Sequence, residues 1–308
     1  MVADKRLAAR IRSWLVEIGG QEEPVTGAHE LWRVRQNDAK WTYYMTGTLY
    51  VTDSDEPALL ETQRQVDRLA GGRFAEPSRH FLVGLDETGK GEIFGPIVLA
   101  AVTLPRALFQ QVEEVIGVAD TKVSHGFRYW KELFGRIDFY RAQGLEWSTA
   151  RIRPEELDTA SVNRLLDREY QRLLEGAMGR IDPQSARVVV DDYGVGSGLE
   201  RHLRQMAAGG TEVVRVTRAD DRYLECRLAS LVAKREQQQA LDAIRRDKRF
   251  QMEGLELGSG NAGDAKTLAW LRAWHDSGRP WPAFVKQSFR TIQEIEARPV
   301  LVKRPKPQ

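Results

Sequence analysis

An α/β fold, in which a mixed sheet carries helices and follows a small α+β unit, is what three features of the sequence predict. Two β-branched runs, R-V-V-V-D at 187–191 and T-E-V-V-R-V-T at 211–217, each precede a long amphipathic stretch, residues 197–207 and 222–246. That is the rhythm of a parallel β–α–β unit. Two further apolar runs bounded by glycine and proline, H-F-L-V-G-L-D at 80–86 and P-I-V-L-A-A-V-T-L at 96–104, add strands. Ahead of them, the first 72 residues alternate helical spacing with short aromatic strands.

The elements follow in order. Leu7, Ile11, Trp14 and Leu15 fall at helical spacing in residues 5–17, and Gly19-Gly20 ends the run. H-E-L-W-R-V-R-Q, K-W-T-Y-Y-M-T and T-L-Y-V-T read as antiparallel strands, with N-D as a turn. Residues 57–70 open on Pro57 and close on Gly71-Gly72, as a helix does. These define an N-terminal domain over 1–72 and a linker over 73–80. A larger domain over 81–297 adds a strand in L-E-W-S-T-A-R-I and helices near 128–141, 154–175, 263–275 and 283–297. Residues 298–308 form a basic, proline-rich tail.

Composition excludes several classes. The 308 residues exceed the usual single domain, and 42% hydrophobic with 29% charged residues matches a globular protein. No run approaches the roughly 18 apolar residues of a membrane span, and the N-terminus lacks a signal-peptide run, so a cytoplasmic protein with no membrane partner is expected. The one cysteine, Cys226, forms no internal disulfide or multi-thiolate zinc site. His125, His202 and His275 have no ligand spacing. A net charge of +2 permits a polyanionic partner without requiring one.

The stretch G-L-D-E-T-G-K-G at 84–91 nearly spells a phosphate-binding loop, but Gly91 stands where the magnesium-binding hydroxyl belongs. Asp86 and Glu87 would also set carboxylates against phosphate. The alternative is a metal site. Asp86 and Glu87 end one predicted strand, Asp191 ends a second, and Asp220 follows a third, so several carboxylates gather at strand ends of one sheet. Alternation turns Asp86 and Glu87 in opposite directions unless the glycine-rich chain bends there. Mg2+ or Mn2+ relieves such a cluster, and two ions about 4 Å apart clamp an in-line phosphodiester cleavage. Asp192 or Asp221 remains possible as ligand in place of its neighbour.

V-G-L-D-E-T-G-K-G-E-I-F-G-P-I-V-L-A-A-V resembles the opening motif of type 2 ribonuclease H. V-V-V-D, A-D-D-R-Y-L-E-C-R-L-A-S-L-V-A-K, D-T-K at 120–122 and P-A-F-V-K-Q-S-F-R-T-I resemble its later segments. The resemblance spans about residues 80–295, and the extra N-terminal domain is most like ribonuclease HIII. It implies a ribonuclease H-like mixed sheet, with an N-terminal fold like the TATA-box-binding protein. It further implies a metal-dependent endoribonuclease that cuts the RNA strand of RNA–DNA hybrids with two Mg2+ or Mn2+ ions, leaving a 5′-phosphate and a 3′-hydroxyl. Asp86, Glu87, Asp191 and Asp220 are the implied ligands and catalytic groups.

By the same resemblance, Gly89, Lys90 and Gly91 present donors near the ribose 2′-hydroxyl, and Lys122 meets a backbone phosphate. Trp41, Tyr43 and Tyr50 offer a substrate-binding face, with sheet core as the other reading. Lys234 either serves the site or pairs with a carboxylate. Ala262 lies near the position where ribonuclease HII relatives usually carry a tyrosine, which implies a preference for runs of ribonucleotides. Arg227-Leu228-Ala229 and the residues after D-T-K depart from the pattern. Two alternatives therefore stand beside hybrid cleavage: cutting at single ribonucleotides in DNA, and a catalytically weak member that binds hybrids or protein.

Overall fold

The computed structural model describes residues 5–52, 62, 66, 74–116 and 127–297. It divides into two compact units, one formed by the residues up to Glu76 together with Ala107–Leu145, the other by Pro77–Arg106 and the residues from Glu146 onward. Residues 107–145, which the sequence reading places within 81–297, thus group with the N-terminal residues.

In the first unit, helix α1 (Lys5–Glu17) covers an antiparallel sheet of β1 (Gln21–Glu23), β2 (Glu30–Gln36), β3 (Ala39–Tyr44) and β4 (Leu49–Val51), in that order. Period-2 alternation sends Trp32 and Val34, then Trp41 and Tyr43, to one face, where they meet Ala8, Ile11 and Leu15 of α1. Trp41 and Tyr43 are therefore core, and of the three aromatics read as a binding face only Tyr50 is exposed. The opposite sheet face carries the register rows Arg33, Thr42, Tyr50 and Arg35, Lys40. Helix α2 (Phe109–Ile116), which the sequence reading lacks, buries Phe109, Val112 and Ile116; α3 spans Phe127–Phe139. The helix expected over 57–70 lies outside the described residues except Thr62 and Val66, both helical and buried.

The second unit is a five-stranded mixed sheet ordered β7-β6-β5-β8-β9, from β5 (Phe81–Thr88), β6 (Ile97–Pro105), β7 (Glu146–Ile152), β8 (Ala186–Asp191) and β9 (Glu212–Val216). β5, β6 and β7 pair antiparallel, whereas β8 and β9 run parallel to β5. After the short α4 (Pro154–Leu157), α5 (Val162–Met178) and α6 (Ser197–Ala208) bury Leu166, Tyr170, Leu199 and their neighbours against Val83, Leu85, Val188 and Val190 on one face. Helix α7 (Leu224–Arg246) packs on the other.

Gly84 permits that packing, since a Cβ there would lie 2.1 Å from the backbone carbon of Glu225. Helices α8 (Ala265–Asp276) and α9 (Arg290–Glu296) close the unit around Phe94, Trp270, Trp274 and Phe284. Among the described residues no helix is long and apolar enough to cross a membrane.

Candidate active site

Strand β5 stays extended through Thr88, so its two acids do point in opposite directions. Asp86 shares the α7 face with Gly84, while Glu87 shares the α5 face with Val83 and Leu85. The bend follows them, beginning at Gly89, whose φ of 89° suits glycine. The parallel register pairs Leu85 with Val190, and one step further along it Asp191 stands beside Asp86 on the neighbouring strand. Strands in such a ladder lie about 4.8 Å apart.

Asp220 arrives by a different route. Arg218, in the left-handed region at φ 57°, turns the chain after β9 into the short 3-10 turn Ala219–Asp221. The Ala219 N–H donates to Asp191 Oδ1 at 2.9 Å, tying the turn to the end of β8, and the Arg227 Nε donates to the Asp220 carbonyl at 2.9 Å. Asp220 is 5% exposed and Asp86 7%.

Burial pushes the Asp86 carboxyl well above the usual carboxylate range, and the charges of Glu87, Asp220 and Asp191 push it further, against a hydrogen bond from the Ser230 side chain of α7. Among the described residues no lysine or arginine forms an ion pair with Asp86. Glu87 is raised too, chiefly by burial. The Tyr170 hydroxyl donates to its Oε2, and Lys90 Nζ lies 3.9 Å from its Oε1. Tyr170 is wholly buried, stacks on Tyr193 at 5.2 Å, and Tyr193 in turn donates to Asp167 Oδ1 at 2.7 Å. Lys90 lies over the Tyr193 ring and donates to its carbonyl.

The two alternative acids are differently employed. Asp192 faces Arg215 at 3.3 Å and accepts from the N–H groups of Gly194 and Val195. Asp221 meets Arg218 at 2.8 Å and Arg227 at 3.4 Å. Lys234 lies 3.9 Å from Glu92, the carboxylate pairing that the sequence left open. Lys122 lies outside the described residues.

An all-carboxylate donor set has the oxygen chemistry that hard divalent cations prefer, so the residues fit Mg2+ or Mn2+. The side chains themselves stand apart: among the described residues no three Asp, Glu, His or Cys groups are close enough to ligate one ion as they are. Tyr170 and the Ala219 N–H hold Glu87 and Asp191, and bare like charges repel. Tyr170 was missed in the sequence because a tyrosine in an amphipathic helix reads as packing, while Ser230 lay within the A-D-D-R-Y-L-E-C-R-L-A-S-L-V-A-K segment with no role assigned to it.

The model of the family described as Ribonuclease HII matches residues 83–292, about two thirds of the chain. The chain belongs to the ribonuclease HII family. That membership makes it a metal-dependent endoribonuclease, a hydrolase of the type 2 ribonuclease H kind. It is similar to the Ribonuclease HII of Sulfurisphaera tokodaii, with 27% identity over 70% of this chain and 95% of the relative. Among solved structures it resembles the ribonuclease H2 from Pyrococcus horikoshii OT3, with TM-score 0.57 and 24% identity over 70% of this chain and 97% of that one. It also resembles Bst-RNase HIII in complex with Mn2+, with TM-score 0.55 and 18% identity over 96% of this chain and 97% of that one. At these identities the two structures speak to the ribonuclease H-like fold, and the second extends the likeness over the N-terminal sheet.

Proposed function

We propose that this ribonuclease hydrolyses the RNA strand of RNA–DNA hybrids, leaving a 5′-phosphate and a 3′-hydroxyl. The observation that carries the reading is Asp86: a buried carboxyl at a strand end, flanked by Glu87, Asp191 and Asp220, with no lysine or arginine paired to it among the described residues. These four acids would hold two Mg2+ or Mn2+ ions, and the Mn2+ named with Bst-RNase HIII supports that choice. Bound there, the ions supply Lewis acidity and a lowered pKa for attacking water.

The chain's own residues orient the rest. Ser230 and Tyr170 fix the carboxylates of Asp86 and Glu87 from opposite sides of the sheet. Gly89, Lys90 and Gly91 present the loop that meets the ribose 2′-hydroxyl, the group that separates RNA from DNA. Lys122 is assigned to a backbone phosphate. The sheet face opposite α1, through Lys40, Arg35 and the exposed Tyr50, supplies sequence-blind contacts to the duplex backbone. Arg33 and Arg35 pair with Glu30 and Glu23, so Lys40 is the cation most available for it.

A labelled hybrid incubated with Mg2+ or Mn2+ tests the proposal. The wild type should cut it and Asp86→Asn should not; binding without cutting would contradict cleavage and favour a binding member. The Ribonuclease HII name of several relatives favours a second reading, cleavage at a single ribonucleotide within DNA. Efficient cutting of that substrate in preference to the hybrid would establish it instead.

A further inference from the structure

Lysine is almost never fully buried unless it is paired, yet Lys286 is 0% exposed. Its Nζ donates to the carbonyl of Gly89 and, at 2.6 Å, to the carbonyl of Glu92, the two ends of the glycine-rich loop. The main chain around it is tied to the same segment. The Lys286 N–H donates to the Ile93 carbonyl at 3.0 Å, and the Gly95 N–H to the Phe284 carbonyl at 2.8 Å. Phe289 lies 5.2 Å from the ammonium. Burial draws Lys286 down to about 8, with Glu92 pulling it back.

An ammonium offers three donors and no acceptor, and enclosing it without hydrogen bonds is strongly unfavourable. The fold therefore keeps the Gly89 and Glu92 carbonyls turned inward. A trans peptide is planar, with C=O and the following N–H pointing opposite ways. Holding the Gly89 carbonyl inward thus aims the Lys90 N–H outward.

The loop's other contacts agree. Glu92's carbonyl shares its peptide with the Ile93 N–H, which is fixed at 2.7 Å to the Gly260 carbonyl. Gln237 of α7 accepts from Thr88 and abuts Gly89, where a Cβ would lie 2.9 Å from its Nε2. At the crest, nothing lies within 4 Å of a Cβ built on Gly91, and among the described residues no acceptor meets the Lys90 N–H.

We infer that Lys286 is a positioning residue for ribose recognition: from beneath the loop it sets the 89–90 peptide so that the Lys90 N–H faces the sugar. The inference rests on the reading above in which this loop meets the 2′-hydroxyl. Lys286 touches neither substrate nor any of the four acids, so its loss should alter selectivity more than chemistry.

The test compares equilibrium binding of an RNA–DNA hybrid with a DNA duplex of the same sequence, in Ca2+ so that cutting does not intervene. Wild type should prefer the hybrid. Lys286→Met should lower that preference by about tenfold, the weight of one well-placed donor, with affinity for the DNA duplex unchanged. In cleavage the same variant should raise KM with kcat altered less than about threefold. Should Lys286→Met fail to fold, Lys286→Gln, which keeps two N–H donors, is measured instead and should show a smaller drop in the same direction. A folded variant with unchanged preference, or one losing both affinities equally, overturns the inference. A wild type that binds both duplexes alike overturns the substrate reading itself, and the role of Lys286 with it.

Discussion

Two buried carboxyls on the α7 side of the second unit have opposite surroundings. Glu225, wholly buried at the start of α7, faces Arg187 of β8 at 2.9 Å, itself 3% exposed. Burial raises Glu225, and Arg187 draws it back. Asp86, two residues along β5 from the glycine that abuts Glu225, has no such partner among the described residues and is raised both by burial and by three neighbouring acids. The first carboxyl is paired with an arginine supplied by the fold. The second is the carboxyl proposed above to meet a divalent ion.

The largest expected effect breaks the second arrangement. Asp86→Asn should lower hybrid cleavage by about a thousandfold or more, the scale on which removing a group essential to transition-state charge acts. The same change should raise the melting temperature of the metal-free protein, since it deletes a repulsive buried charge. Breaking the first arrangement should do the reverse. Arg187→Met leaves Glu225 enclosed without its cation and should lower stability by about 3–5 kcal/mol, read by urea unfolding. Whatever protein remains folded should still take up divalent ions.

The comparison also has a pH signature. A carboxyl raised in the folded state binds its proton more tightly folded than unfolded. Its contribution is therefore present at low pH and is lost as pH rises from the ordinary aspartate range, about 3.9, through the folded value. In EDTA, wild type should lose stability over that rise, and Asp86→Asn should lose less. The smallest expected effect concerns the first unit's sheet face opposite α1. Lys40→Ala should weaken hybrid binding about equally across sequences and reduce the salt dependence by about one phosphate contact.

Much of this was legible in the sequence. The V-V-V-D run became a parallel strand buried along nearly its whole length because such strands favour unbroken β-branched residues, V-V-R-V-T became the partly buried edge strand beside it, and the Asp86-Glu87 pair stood out because acids rarely follow an apolar run. What stayed hidden depends on partners distant in sequence. Trp41 and Tyr43 alternate like any strand, and only the position of α1 decides which face is core. Lys286 carries no signal of its own in the sequence, and its role emerges only when residues 284–286 are seen beside 93–95. Helix α2 was missed because its apolar positions, Phe109, Val112 and Ile116, fill barely two turns after a strand that ends at Pro105.

The central claim, that the acids around Asp86 are tolerated through divalent ions they hold themselves, is tested most directly by calorimetric titration of the metal-free protein with Mn2+. Wild type should take up ions, and Asp86→Asn and Asp191→Asn should each lose most of that uptake while remaining folded. Unchanged uptake in both variants, or none in a folded wild type, would contradict it.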